Sequence, residues 1–206
     1  MIEKAYTGAL SFLRRNYTRD LSHVDAAVTS IPLHFATTYR QGGDHYSTYP
    51  SLKAHVAYHG KSLSLIQFNS MHILIDGQTK NYIIRKHGFM FYYAVREDFI
   101  DPQTRIEIVI RTFNDGFMGA KISDAAWIHQ NSTEHMVEEI RNRVGNNLTY
   151  LTFDIDCLDP VFSSVTGTLV CRGLTMAQII AILRRLRSIN YVGMDIVEVS
   201  PPYAYD

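Results

Sequence analysis

The chain has 206 residues, 46% of them hydrophobic, a length and composition typical of one globular domain with a sizeable core. We therefore predict a single domain over 1–206, in which residues 1–25 form an N-terminal segment without an assigned helix or strand. The 20 basic and 20 acidic side chains leave no net charge, so we expect neither nucleic acid nor an anionic membrane surface as a partner.

Five apolar segments of strand length follow one another along the chain. The predicted strands are Ala26–Ile31, Leu63–Phe68, Ile106–Ile110, Thr149–Asp154 and Tyr191–Ile196. They are continuously apolar rather than alternating, as strands covered by helices on both faces are. Because helical segments lie between strands, the order predicts parallel βα units in an α/β sheet.

Two helices are predicted before the last pair of strands. Tyr49–Tyr58 is the weaker candidate, because Pro50 interrupts it early. Glu134–Val144 is the stronger one, with Gly145 placed to end it.

A third helix is predicted between the last two strands. Thr175 and Gln178 have the spacing of a capping box, which marks a helix start. The residues after this start predict one apolar stripe along the helix: Ile179, Ile180, Leu183 and Leu186.

Three carboxylates follow the fourth predicted strand. Asp154 and Asp156 are two residues apart, so both leave the same face of an extended chain. Like charges held that closely at a buried strand end need a cation or a proton to neutralise them. The pair therefore predicts a divalent metal ion, whereas Asp159, which precedes Pro160, is predicted to form a turn.

Polar or metal-binding side chains also follow the other strands. Asn69 and Met71 come after the second strand, Arg111 after the third and Glu198 after the fifth. Ligands of parallel sheets collect beyond the carboxyl ends of the strands. We therefore expect these positions to converge on one crevice with the two aspartates.

The expected cellular setting is cytoplasmic. No apolar run has membrane-spanning length, and the first 20 residues lack the order of a secretory signal. Cys157 and Cys171 are too few for a disulfide scaffold. Arg14, Arg15 and Arg19 suggest a mitochondrial presequence as the alternative.

Several ordered motifs carry a family resemblance. They are Phe153-Asp-Ile-Asp-Cys-Leu-Asp-Pro160, Thr166-Gly-Thr168, Gly173-Leu-Thr175 and Val192-Gly-Met-Asp-Ile-Val-Glu-Val-Ser-Pro201, preceded by Leu52-Lys-Ala-His55, His87-Gly88 and Ile100-Asp-Pro102. Together they resemble the agmatinase branch of the arginase, or ureohydrolase, family, from about Ala26 onward. The resemblance implies a three-layer αβα domain that forms homo-oligomers. It also implies two manganese ions that share a hydroxide, which attacks agmatine and releases urea and putrescine.

The family's metal ligands carry over only in part. Gly42-Gly43-Asp44-His45 resembles the first ligand motif and implies His45 as a ligand. Asp154 and Asp156 match the last two ligands. Between them the family has Phe-Asp-Ala-His-x-Asp, with three ligands, where this chain reads Phe68-Asn-Ser-Met-His-Ile73.

Three of six ligand positions are therefore replaced, at Asn69, Met71 and Ile73. Asn69 offers one neutral carbonyl oxygen and cannot bridge two cations as a carboxylate does. Met71 is a soft thioether poorly suited to manganese, and Ile73 offers no ligand atom. His72 replaces the lost histidine only if the strand slips by one residue, which turns its side chain to the opposite face.

The substrate side of the resemblance is better kept. It implies His87 as a proton shuttle or substrate contact and Glu198 as the partner of the guanidinium group. Without the resemblance, His87 reads as an ordinary loop histidine and Glu198 as a solvated residue after a strand.

Two larger departures from the family pattern affect the fold. Ser30–Gly43 resembles an early loop that runs directly into the first ligand motif, and the chain stops at Asp206, soon after Glu198. We expect the domain to lack one internal βα segment and the C-terminal region. The exposed apolar surface would favour a partner, either another copy of this chain or an intact paralogous subunit.

Three functions remain open on the sequence. The favoured one is a non-catalytic relative, a pseudoenzyme that keeps the fold and binds guanidine compounds or an intact subunit. The second is an active agmatinase with an altered site. The third is a hydrolase with one metal ion on His45, Asp154 and Asp156, the smallest ligand set of a catalytic metal.

Overall fold

A computed structural model describes residues 22, 27, 44–70, 90–111, 117–164, 166–167 and 169–199. The chain divides between Ile31 and Pro32, and every element described below belongs to the unit Pro32–Asp206. The predicted strand Ala26–Ile31 lies outside the described residues except for Ala27, and the early loop Ser30–Gly43 lies outside them entirely.

Five helices and five strands make up the described part of the fold. In chain order they are α1 (Thr48–His59), β1 (Leu63–Phe68), α2 (Met90–Arg96), β2 (Ile100–Ile110), β3 (Lys121–Asp124), α3 (Ala125–Gln130), α4 (Thr133–Val144), β4 (Thr149–Asp154), α5 (Met176–Arg185) and β5 (Tyr191–Val197). Short 3₁₀ turns lie at His45–Ser47, Phe117–Gly119, Ile155–Cys157 and Leu186–Ser188.

The five strands form one parallel sheet in the order β3-β2-β1-β4-β5. The predicted α/β class with a parallel sheet is confirmed. The chain first builds the sheet outward from β1 through β2 and β3, and then returns to the other side of β1 with β4 and β5. A crevice opens at such a reversal, beyond the carboxyl ends of β1 and β4.

Helices cover both faces of the sheet, as the continuously apolar strands predict. Because side chains alternate along a strand, Ile66 and Leu151 enter one core with α3, α4 and α5. Leu65 and Tyr150 enter the other core, with α1 and α2. The result is a three-layer αβα arrangement with a separate apolar core on each side.

The predicted elements agree closely with the observed ones. Leu63–Phe68 and Thr149–Asp154 have the predicted bounds, whereas β2 begins at Ile100 rather than Ile106 and β5 ends one residue later. The short elements α2, β3 and α3 were not predicted. They have too few residues to show a clear period.

The helix ends also follow their sequence signals. Thr175 and Gln178 form the predicted capping box at the start of α5, and Gly145 caps α4. The predicted stripe of α5 needs correction, because Ile180 is 39% exposed. Ile179, Ile182 and Leu186 are the buried residues, at the i, i+3, i+7 spacing of one helix face.

Pro50 does not interrupt α1, because it lies in the first turn. Backbone N–H groups there have no partner within the helix, so a proline removes no hydrogen bond. None of the described helices is long and apolar enough to cross a membrane.

The last strand of the described sheet exposes apolar side chains. Met194 is 63% exposed and Ile196 is 69% exposed. They pair in register with Leu151 and Phe153, which pack in the core of α3, α4 and α5. Among the described residues, these side chains form an open apolar part of the sheet face.

Val109 adopts a left-handed backbone conformation inside β2, with φ of 72°. The pairing of β2 with β3 shifts register at this point, between Ile108 and Ile110. A left-handed conformation costs a residue with a Cβ about 1–2 kcal/mol, and a β-branched side chain makes it rarer still.

We expect Val109→Gly to be more stable than Val109→Ala by about 1 kcal/mol, measured by urea unfolding. Both variants remove the buried side chain, so their difference isolates the backbone conformation. Ile108→Gly and Ile108→Ala serve as the control, because the alanine variant should be the more stable of those two. A Val109→Ala variant that is as stable as Val109→Gly contradicts the prediction.

Candidate functional site

Four buried polar residues meet at the carboxyl ends of the central strands. Asn69 follows β1, Asp154 ends β4, Glu198 follows β5, and His45 begins the turn that leads into α1. His45 touches the other three. Of the positions expected to converge, Asn69, Asp154 and Glu198 therefore meet at the reversal of strand order.

His45 is held at three of its polar atoms. Its backbone N–H donates to Glu198 Oε1 over 2.6 Å. In its ring, Nδ1 lies 3.0 Å from Asp154 Oδ2 and Nε2 lies 3.0 Å from Thr152 Oγ1. The ring edge also meets Phe91 of α2, with the ring centroids 5.3 Å apart. The imidazole is thus fixed from the sheet and from the helical layer.

A chain of hydroxyl groups sets the protonation of the His45 ring. Thr48 donates to Asp195 Oδ2 over 2.8 Å, which uses its only hydroxyl proton. Thr152, 3.3 Å away, must then donate to Thr48. Because the Thr152 proton is also used, Nε2 of His45 donates to Thr152.

The second ring nitrogen of His45, Nδ1, faces the Asp154 carboxylate. Either a proton on Nδ1 or a cation in place of that proton lies between the two groups. Burial opposes a charged His45 ring, but the hydrogen bond to Asp154 and the charges of Asp154, Asp195 and Glu198 outweigh it and raise the pKa. The raised pKa favours a proton on the ring, which would place an N–H donor at Nδ1 facing Asp154.

Asp156 lies in the turn directly after β4. Its backbone N–H donates to Asp154 Oδ1 over 2.8 Å, and Thr166 donates to its Oδ1. Arg111 donates to the backbone oxygens of Asp156, at 2.5 Å, and Cys157, at 3.0 Å. Arg111 thus stabilises the turn by donating to the backbone carbonyl groups of the turn. It does not contact the carboxylates directly.

The site carries more negative than positive charge. Burial, followed by the charge of Asp154, raises the pKa of Asp156 to about 8 and that of Glu198 to about 7. Carboxylates shift in this direction when buried near one another without enough cations. The arrangement is therefore suited to receive a cation.

The described residues fit the family's two-metal centre only in part. The 3.0 Å between His45 Nδ1 and Asp154 Oδ2 is about the separation of two ligands at right angles on one metal with bonds of about 2.1 Å. However, no three His, Cys, Asp or Glu side chains within the described ranges are grouped to hold a metal ion. Asn69 lies 3.4 Å from Nδ1, where the family has a carboxylate. The described residues therefore supply only part of a two-metal centre.

Four of the predicted or alternative site residues are outside the described part of the chain: Met71, His72, Ile73 and His87. Glu198 is buried rather than solvated, with 7% of its surface exposed. The sequence interpretation missed Thr152 and Asp195. A period of two along β4 places Tyr150, Thr152 and Asp154 on one face and is the signal that could have revealed Thr152.

Asp159 forms a turn, as predicted. Its carboxylate accepts backbone N–H groups from Val161, Arg172 and Gly173. These hydrogen bonds, led by that from Val161, lower the pKa of Asp159. Asp159 thereby ties the two ends of the loop that follows the site.

We expect Asp159→Asn to lower the free energy of unfolding at pH 7. Because the folded-state pKa is depressed, the carboxylate stabilises the fold above its unfolded-state pKa. The stability difference between the native chain and the variant should shrink as the pH falls through the folded-state pKa, below the ordinary value of 3.8. Urea unfolding across this range measures the difference, with Glu138→Gln on the exposed face of α4 as control. A stability difference that does not change with pH contradicts the prediction.

Comparisons with known proteins agree with the sequence motifs. A model of the arginase family matches residues 10–206. The agmatinase of Chromobacterium violaceum is 36% identical over 273 residues, covering 98% of this chain and 84% of that protein. The aligned region is longer than this chain, so part of the relative has no counterpart here. The agmatinase of Proteus mirabilis is 44% identical over 165 residues, covering 79% of this chain and 51% of that protein.

Solved structures give the same result. A hypothetical agmatinase from Burkholderia thailandensis matches with a TM-score of 0.72 and 46% identity, over 79% of this chain and 51% of that one. Proclavaminate amidino hydrolase from Streptomyces clavuligerus matches with a TM-score of 0.70 and 30% identity, over 79% of this chain and 55% of that one. The chain spans about half the length of these structures. On its family match, its relatives and its fold, the chain belongs to the arginase family, as an agmatinase-like member.

Proposed function

We propose that this chain is a non-hydrolytic, agmatinase-like protein that binds a guanidinium compound such as agmatine. The observation that carries the proposal is the pairing of His45 Nδ1 with Asp154 Oδ2, with the amide of Asn69 beside them. When a proton joins this pair, Nδ1 is not free to bind a metal ion. Asn69 cannot supply the bridging carboxylate that two cations require.

The remaining carboxylates support guanidinium binding. Asp156 and Glu198 are buried beside Asp154, and burial raises the pKa of both groups. A guanidinium donates in parallel to carboxylate oxygens and brings the positive charge that this site needs. We assign Glu198 to the guanidinium, as the family resemblance implies, and we retain His87 as a substrate contact on the resemblance alone.

A hydrolase with one metal ion is the second candidate. It is favoured by the separation of His45 Nδ1 and Asp154 Oδ2, which suits two ligands of one ion. Asp156 would supply the third ligand after rotation away from Thr166. The family resemblance implies manganese as the ion. Both the one-metal hydrolase and an active agmatinase require His45 Nδ1 to be free of a proton.

Metal content and urea release separate these functions. The chain is dialysed against manganese, its bound metal is counted, and urea is measured with agmatine, with the Proteus mirabilis agmatinase as positive control. We expect no bound manganese and no urea, but a higher melting temperature with agmatine that is lost in Glu198→Gln. Two manganese ions and metal-dependent urea release would establish an active agmatinase. One ion with urea release would establish the second candidate.

Restoring the family ligands tests whether their loss explains the missing activity. The variant combines Asn69→Asp, Met71→His and Ile73→Asp. We expect it to bind manganese that the native chain does not bind, because two carboxylates and a histidine return to the site. A variant that remains free of metal would show that other departures from the family pattern prevent assembly.

The expected partner is a second copy of this chain or an intact paralogous subunit. The exposed Met194 and Ile196 on β5 support such a contact, because apolar surface of this kind often lies in interfaces. The molar mass in solution, measured by light scattering, tests self-association. A cytoplasmic location remains a prediction from the sequence.

A further inference from the structure

A cavity of about 490 Å³ lies at the opposite end of β5 from the candidate site. It is formed by the second half of α1 and the start of β5, with His55, Tyr58 and His59 on the helix and Tyr191 on the strand. Among the described residues that line it, these two histidines are the imidazole groups. None of the roles assigned above involves them.

His55 and His59 are one helical turn apart and therefore project from the same face of α1. Their ring centroids are 6.2 Å apart and their planes are within 8° of parallel. Both rings are half-buried and border the cavity. Two histidines at this spacing on a helix can hold one metal ion between them, as in helical zinc sites of the H-x-x-x-H type.

The ring of His55 is held in place by β4 and β5. It packs against Tyr150, with centroids 5.5 Å apart. A Cβ added at Gly193 would come within 2.5 Å of His55 Nε2, so this ring fits against the strand only because residue 193 is glycine. Since Nε2 packs against the strand, we assign Nδ1 of His55 as the atom that would bind the metal ion.

The second ring has more freedom. His59 meets Tyr58 edge to face, with centroids 4.9 Å apart, and Tyr58 is 85% exposed. Rotation of the His59 ring on this open side can direct a nitrogen toward His55. Burial and the nearby His59 also lower the pKa of His55, which favours the neutral imidazole that binds metals.

We propose that His55 and His59 chelate a late first-row divalent cation, Cu²⁺ or Zn²⁺, with water in the remaining positions. Imidazole pairs select these ions, whereas the carboxylates of the family centre suit manganese. The described residues supply no third His, Cys, Asp or Glu ligand here. The site therefore keeps open coordination positions toward the cavity.

Copper titration of the full chain tests the proposal, with electron paramagnetic resonance as the readout. We expect one Cu²⁺ with two nitrogen ligands in its spectrum, displaced by Zn²⁺. His59→Ala should weaken binding roughly 100-fold, because it removes one arm of a chelate. His129→Ala and His135→Ala are matched controls on exposed surfaces, and Asp154→Asn tests independence from the family centre. All three should retain the Cu²⁺ affinity.

Gly193→Ala provides a second test that keeps both histidines. The added methyl group would displace the His55 ring and should weaken Cu²⁺ binding about tenfold or more, if circular dichroism shows a folded protein. Unchanged Cu²⁺ affinity in His59→Ala would overturn the proposal. So would a spectrum with a single nitrogen ligand, or binding that Asp154→Asn abolishes.

Discussion

Replacement of Glu107 by leucine is expected to lower the free energy of unfolding by about 3–5 kcal/mol. Glu107 is 1% exposed and accepts from Arg105, which is 5% exposed and also donates to Gln67 Oε1 over 3.2 Å. The Arg105 guanidinium lies over the Phe91 ring, 5.0 Å from its centroid. Without Glu107 the cation stays buried under α2, where among the described residues the Gln67 amide is the remaining polar partner of its side chain.

The double variant Arg105→Met and Glu107→Leu should recover most of this loss. It removes both charges, and well-packed apolar residues often replace a buried ion pair at little cost. Urea unfolding of the single and double variants measures the coupling, and Glu138→Leu on the exposed face of α4 is the control for the substitution. A single variant within about 1 kcal/mol of the native chain would contradict the prediction.

The buried ion pair illustrates what the sequence could not predict. The strand Ile106–Ile110 was recognised from its apolar residues, although it contains Glu107. Periodicity places Glu107 on the same face as Arg105. The periodicity of β2 does not reveal that α2 covers both charges. The sequence Met90–Arg96 has no hydrophobic period that would predict this helix.

The long elements were predictable for a physical reason. The strands β1 and β4 are buried on both faces, so burial alone marks them in the sequence. The helix α5 begins with a capping box whose two hydrogen bonds are local. Its buried stripe was assigned wrongly at Ile180, because an apolar residue beside the core face looks the same in sequence as one within it.

The candidate site was predictable in position but not in its internal contacts. Parallel strands deliver their carboxyl ends to one edge, so Asn69, Asp154 and Glu198 had to approach one another. The hydroxyl chain from His45 through Thr152 and Thr48 to Asp195 joins a 3₁₀ turn, β4, α1 and β5. Such contacts depend on how α1 packs on the sheet, which no local pattern specifies.

Asp156→Asn is expected to raise the free energy of unfolding of the metal-free protein by about 2 kcal/mol at pH 7. It removes one of three carboxylates buried together, while Thr166 can still donate to the amide oxygen. Burial and the charge of Asp154 raise the pKa of Asp156 to about 8, as expected for an acid whose charge the fold disfavours. Urea unfolding measures the gain, with Glu138→Gln on the exposed face of α4 as control.

The same variant distinguishes the cations that the site can hold. If manganese binds, it should raise the melting temperature of the native chain but not of Asp156→Asn, because the ion loses a carboxylate ligand. If agmatine is the ligand, agmatine should raise the melting temperature of the native chain but not of Asp156→Asn. Manganese should then produce no such difference between the two proteins. A variant less stable than the metal-free native chain would contradict the charge argument. It would mean that the carboxylate contributes more through its hydrogen bonds than it costs through repulsion.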